Sequence, residues 1–157
     1  MKGNKTAVLL LAAIIIYCCM LLGPDALFKS GVVHAQDSNI SETQLLARAI
    51  NGEARGESYE GQVAVGAVIL NRTRDPNFPK TIAGVIYQPG AFTAVDDGQI
   101  NVPIDSNSTV VKAARDAMDG WDPTDGCIYY WNPATATSSW IWSRQVIKKI
   151  GTHSFAK

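Results

Sequence analysis

The sequence predicts an α+β domain, with helices leading and a small, aromatic-rich β region closing the chain. Three observations carry this. Segments of helical period fill most of the stretch from Ser41 to Gly120, all four tryptophans fall among short apolar runs in the last quarter, and no internal repeat or long linker divides the chain. At 157 residues there is room for one domain with a sizeable core.

The first stretch stands apart from that domain. Lys2 and Lys5 precede the apolar run Ala7 to Leu22, and Val33-His34-Ala35 offers small residues for cleavage. This is the pattern of a secretory signal peptide over residues 1–35, which leaves a domain at 36–157 and predicts export. The run is short against the ~20 residues of a membrane-spanning helix, with an uncleaved anchor as the alternative. From Gln36 onward 11 basic residues face 13 acidic ones. So even a balance gives no electrostatic reason to bind nucleic acid or an anionic membrane. Cys127 is then the only cysteine, so no intramolecular disulfide is expected and stability must come from packing.

Each element has its own signal. Ser41-Glu42-Thr43-Gln44 has the capping-box form, and Leu46, Ala49, Ile50 and Glu53 follow on one helical face, with Gly56 as the expected stop. Ser58 to Arg74 reads as a second helix burying Val63, Ala64, Ala67, Val68 and Leu70, ended by Asp75-Pro76. A short third helix spans Thr81 to Tyr87. Asp97-Gly98 between strand-like flanks predicts a hairpin across Phe92 to Val102. Ser108 opens a further helix with Val110, Val111, Ala114, Ala117 and Met118 inward and Gly120 at its end. Ile128 to Trp131 and Trp140-Ile141-Trp142 are short aromatic segments around an Asn132-Pro133 turn, and Val146 to Phe155 is strand or irregular.

Glu53 is out of place on this map, because helical phase puts it on the core side with Leu46, Ala49 and Ile50. Burying an unpaired charge costs several kcal/mol, and a carboxyl so placed tends to keep its proton, the state that general-acid chemistry needs. Gly52 and Gly56 beside it leave room for a substrate or another backbone. The plainer alternatives are an ion pair with Arg55 or Arg72, or a helix that ends early and leaves Glu53 in solvent. Glu57 has the same phase but lies past Gly56, where with Glu60 it suits the start of the next helix. Other chemistries fail on residue counts: from Gln36 onward one histidine, His153, and one cysteine, Cys127, are too few for a zinc centre. A Cys127/His153 nucleophilic pair remains open on residue types alone, while serine-hydrolase and phosphate-loop motifs are missing. The tryptophans, Trp121, Trp131, Trp140 and Trp142, serve either as core or as the aromatic wall of a sugar-binding cleft.

Taken together, "EARGESYEGQVAVGAVILNR", "YQPGAFTAVDDGQI", "YYWNPATATSSWIWSR" and "KKIGTHSFAK" resemble, in order and spacing, the catalytic domain of the spore cortex-lytic cell-wall hydrolase family (SleB/CwlJ type). The resemblance covers residues 45–157. It implies a lysozyme-like α+β fold, peptidoglycan as partner and substrate, and one essential glutamate, Glu53, with no metal or cofactor. The implied reaction is lytic transglycosylation between N-acetylmuramic acid and N-acetylglucosamine, giving 1,6-anhydro-muramic ends, in spore germination. Thr93, Tyr130, Asn132, Trp140 and Arg144 are the residues expected to contact substrate. Asp96, Asp97 and Asp105 are the candidates for a second carboxylate, which a hydrolase would ordinarily use. The alternatives are a hydrolytic muramidase or glucosaminidase, a wall amidase, and a non-catalytic peptidoglycan-binding protein. A monomer in the cell wall or spore envelope is expected, with an accessory germination protein as a further partner. Longer members carry an N-terminal peptidoglycan-binding module, for which Gln36 to Ser41 has no room.

Overall fold

The computed structural model describes residues 42–157. The expected signal segment, its cleavage point after Ala35 and the Ser41 cap all lie outside these residues. The helices are α1 (residues 42–54), α2 (Tyr59–Arg74), α3 (Ile82–Ile86), α4 (Thr93–Asp96) and α5 (Thr109–Met118). Short 3-10 turns cover Gln99–Asn101 and Ser139–Ser143. The strands are β1 (Tyr129–Trp131), β2 (Val146–Ile150) and β3 (His153–Ala156), in one antiparallel sheet of order β1-β3-β2.

α2 is the axis of the domain. Gly61 through Leu70 are all buried, as befits a helix apolar on every side. One side meets α1 and α5 through Leu46, Ala49, Ile50, Val111 and Ala114. The approach is close at Gly66, where a Cβ would stand 3.0 Å from Ile50 Cδ1 and 3.2 Å from Ala117 Cβ. The other side presents Ala64 and Val68 to Phe155, Ile150 and Cys127 of the β region. Ser58 Oγ accepts from Gly61 N at 3.2 Å and Thr81 Oγ1 from Gly84 N at 3.0 Å, as N-caps do, whereas Ser108 precedes α5 without a side-chain cap bond.

Pairing of Tyr130 with Phe155, and of Trp131 with Ser154, fixes the β1–β3 register. Alternation therefore sends Tyr130, His153 and Phe155 to the face covering α2, and Trp131 and Ala156 to the opposite face. There Ile141 from the 3-10 turn covers them. The tail is a hairpin: Ile150 pairs with His153 around Gly151-Thr152, with Gly151 at φ 57°.

The expected hairpin over Phe92 to Val102 is corrected. That segment is α4 followed by a 3-10 turn, with Gly98 at φ 80° joining them. Asp97 Oδ1 accepts from Gln99 N at 3.0 Å, a local bond that closes the turn without any strand pairing. The aromatic segment Trp140 to Trp142 lies in a 3-10 turn. α1 stops at residue 54, two residues short of Gly56, whose φ is not positive.

Candidate active site

The core face of α1 runs out at its last turn, and Glu53 emerges there into a cleft of ≈450 Å3 between α1, α4 and the sheet. Glu53 is half-buried. Its Oε2 accepts from the Tyr130 hydroxyl at 3.2 Å, and Ala94 N–H points at Oε1 from a long 3.5 Å. Burial, chiefly, and the Glu53 charge hold the Tyr130 phenol well above its ordinary value, so it stays a donor. Gly52 makes this arrangement possible: a Cβ there would collide with Ala94 Cβ, so α4 can lie against α1 only over a glycine. The expected role of Gly52 in letting another backbone come close is met by α4.

Neither expected ion pair forms among the described residues. Arg55 Nη1 donates to Gln99 Oε1 at 3.3 Å. Arg72 lines the cleft, yet its Nε donates to Ile128 O at 2.7 Å and its guanidinium lies over Phe78 and Phe92, 5.3 and 5.6 Å from the ring centroids. Burial lowers the Arg72 pKa, against the opposing fields of Tyr130, Tyr129 and Glu53. An arginine remains charged all the same, so a cation stands in the wall facing the glutamate.

Of the residues expected to contact substrate, Thr93, Tyr130 and Asn132 line the Glu53 cleft. Trp140 lines an adjoining groove of ≈500 Å3 with Tyr129, Phe78 and the Thr135–Ser138 stretch. The two spaces share Arg72, Ala91, Tyr130, Trp131 and Thr135 as common wall. Arg144 lines neither; it stacks over Tyr129 at 4.5 Å and Trp140 at 5.4 Å, which braces the aromatic edge. Trp131 is core with one edge in the cleft, whereas Trp140 and Trp142 are about half exposed. Trp121 stacks instead on Tyr59 at 5.9 Å and belongs to neither space.

The carboxylate candidates Asp96, Asp97 and Asp105 do not line the cleft; Asp97 and Asp105 close local turns onto Gln99 and Asn107. The second carboxylate there is Glu57, which sequence reasoning assigned to a helix start. Ser58 takes that position, and Glu57 turns inward to accept from Thr152 N at 3.1 Å and from the Thr152 hydroxyl. Burial would raise its pKa, but the Thr152 hydrogen bonds outweigh burial and hold it below the ordinary carboxylate range. His153 Nδ1 lies 3.5 Å from Glu57 Oε1, outside hydrogen-bonding geometry. Burial depresses the imidazole against the fields of both glutamates, so the contact is not an ion pair at neutral pH. Thr152 and Thr135 also line the cleft and were missed, while Arg72 and His153 figure in the sequence reading only as an ion-pair partner of Glu53 and as a base for Cys127. Glu57 carried one usable signal, its four-residue spacing from Glu53; Thr152 carried another, a two-residue turn opened by glycine. The Cys127/His153 pair gains no support: Cys127 is buried beside Ala64 and Phe155, and burial raises its thiol pKa, whereas His153 meets Tyr130 and Glu57.

This chain belongs to the cell wall hydrolase family, whose model matches residues 56–156. The matched segment takes in Glu57 and the cleft residues after it, and Glu53 lies just before it. In particular, the chain is 58% identical over 117 residues to a spore cortex-lytic enzyme of Bacillus cereus, covering 74% of this chain and 44% of that one. The chain thus spans under half the length of that relative. The fold matches the crystal structure of the catalytic domain of the Bacillus cereus SleB protein with a TM-score of 0.70 at 59% identity, over 74% of this chain and 89% of that one. It matches the catalytic domain of the germination-specific lytic transglycosylase SleB from Bacillus anthracis with a TM-score of 0.71 at 58% identity, over 74% and 93%. The expected α+β, lysozyme-like class is met by these neighbours and by the small antiparallel sheet.

Proposed function

We propose that this protein cleaves peptidoglycan glycan strands by lytic transglycosylation, with Glu53 as the single acid and base, during spore germination. The observation that carries the reading is Glu53 at the end of α1, held by the Tyr130 hydroxyl in a cleft that continues into an aromatic groove. The Glu53 carboxyl gives its proton to the oxygen joining N-acetylmuramic acid to N-acetylglucosamine, and the C1–O bond breaks. The resulting carboxylate takes the proton of the muramic C6 hydroxyl, whose oxygen bonds to C1. The products are a free N-acetylglucosamine hydroxyl and a 1,6-anhydro end; no water is consumed and Glu53 returns to its starting state. Tyr130 orients the carboxyl, while Thr93, Asn132 and Trp140 contact sugar, the ring of Trp140 through its exposed face. The names of the SleB relatives support both the germination setting and the transglycosylase chemistry.

A hydrolytic muramidase is the second reading, favoured by one observation: Glu57 brings another carboxylate into the cleft. Its engagement by Thr152 favours the single-acid route, because a carboxylate held ionised by hydrogen bonds is a weak base. Mass spectrometry of muropeptides released from cortex and vegetative peptidoglycan decides between them. Wild type should release anhydro-muramic products and Glu53→Gln none, with fold intact; reducing ends instead would establish hydrolysis. The basic and apolar N-terminal segment supports export to the cell wall or spore envelope. N-terminal sequencing of the secreted protein should begin at Gln36.

A further inference from the structure

Glu57 takes no part in the proton transfers above, yet it is tightly held in the cleft. Its side chain is 11% exposed, and both oxygens accept from Thr152, 95 positions away in sequence. Gly151 has φ 57°, which favours glycine, and a Cβ there would meet Glu57 Oε2, so a side chain at 151 would push on the Glu57 carboxylate. Thr152 Oγ1 in turn accepts from Asn132 Nδ2 at 3.5 Å. The next residue along β3, His153, sets its ring edge-on to Tyr130 at 5.4 Å, and Phe155 pairs with Tyr130 across the sheet.

We infer that Glu57 is a positioning residue: it ties the Gly151-Thr152 turn to the segment following Glu53, and through Asn132 and β3 it sets the wall carrying Tyr130 at a fixed distance from Glu53. α1 and the β2–β3 hairpin come from opposite ends of the domain, so Glu53 and Tyr130 keep their hydrogen bond only while the two pieces hold one separation. Two hydrogen bonds to a largely buried anion supply that tie. A displacement of about 1 Å at a reacting group can cost about 100-fold in rate.

This inference rests on Glu53 being the acid, and the experiment separates the two. Steady-state kinetics on solubilised glycan strands, with product analysis, are measured for the full chain and its Glu53→Gln, Glu57→Gln, Thr152→Val and Thr152→Ser variants. Glu57→Gln and Thr152→Val should lower kcat roughly 10- to 100-fold, with KM near wild type and the same product ends. Thr152→Ser, which keeps the hydroxyl, should restore kcat. Wild-type kcat in Glu57→Gln and Thr152→Val, or equal impairment in Thr152→Ser and Thr152→Val, overturns the inference while an inactive Glu53→Gln leaves the acid assignment standing. Cleavage by Glu53→Gln but not by Glu57→Gln overturns both, making Glu57 the acid. Should Glu57→Gln fail to fold, the Thr152 pair decides alone.

Discussion

Removing a single oxygen from Tyr130 probes how Glu53 is held. In Tyr130→Phe the ring keeps its packing on Phe155 and His153, but Glu53 Oε2 loses its donor. A hydrogen bond to a charged group contributes about 1.5–3 kcal/mol, so kcat on glycan strands should fall roughly 10- to 100-fold. The same loss should lower the melting temperature by several degrees, so the rate is read well below that temperature. A wild-type rate in this variant would show that the hydroxyl does not orient the acid. At this scale the sequence went far, because Glu53 stood out by helical phase alone. Glu57 shared that phase and was misassigned, since nothing local reveals that its partner is Thr152 at the other end of the chain.

The segment from Phe92 to Asn101 shows how an element can be misread. Asp97-Gly98 suits a hairpin or a helix end, because both use glycine at positive φ; here only Gly98 is positive, at 80°, so the two-residue hairpin turn is not formed. The choice is made by packing: Ala94 sits on Gly52, Ile100 enters the core, and Arg48 and Arg55 reach across to Ile100 O and Gln99. Gly52→Ala should therefore destabilise the protein by about 1–3 kcal/mol, the usual cost of overpacking. It should also push Ala94 N–H and Thr93 away from Glu53. A lowered denaturation midpoint together with reduced glycan cleavage is expected; an unchanged midpoint would mean that α4 does not need the glycine contact.

At the scale of the molecule, among the described residues, buried His153 and the partly buried Glu57 and Asp122 make stability depend on pH in one direction. Burial depresses His153 below its ordinary 6.5, and hydrogen bonds outweigh burial to depress Glu57 below 4.5 and Asp122 below 3.8. In each case the unfolded chain binds the proton more readily than the folded one. Their stabilisation is therefore complete above the ordinary values and is lost as pH falls through the folded ones. Thermal unfolding should show the melting temperature falling from about pH 6.5 downward as His153 begins to titrate. His153→Gln should flatten the upper part of that fall and leave the steeper loss at lower pH. A flat profile from pH 7 to 5 in wild type would show that His153 does not stay neutral in the fold.

Sequence alone was enough for α1, α2, α3 and α5 and for one buried side of α2, because helical period and apolar runs are local properties that neighbours only reinforce. It also placed Glu53 on the inner face of α1. The tertiary structure alone decided which side chains meet that glutamate. Tyr130, Arg72, Glu57 and Thr152 arrive from separate elements, and β3 between β1 and β2 is what carries the chain's last residues back against its first described helix. Such meetings depend on the register of a sheet and on the glycines that let elements approach, and neither is written in the spacing around any one residue.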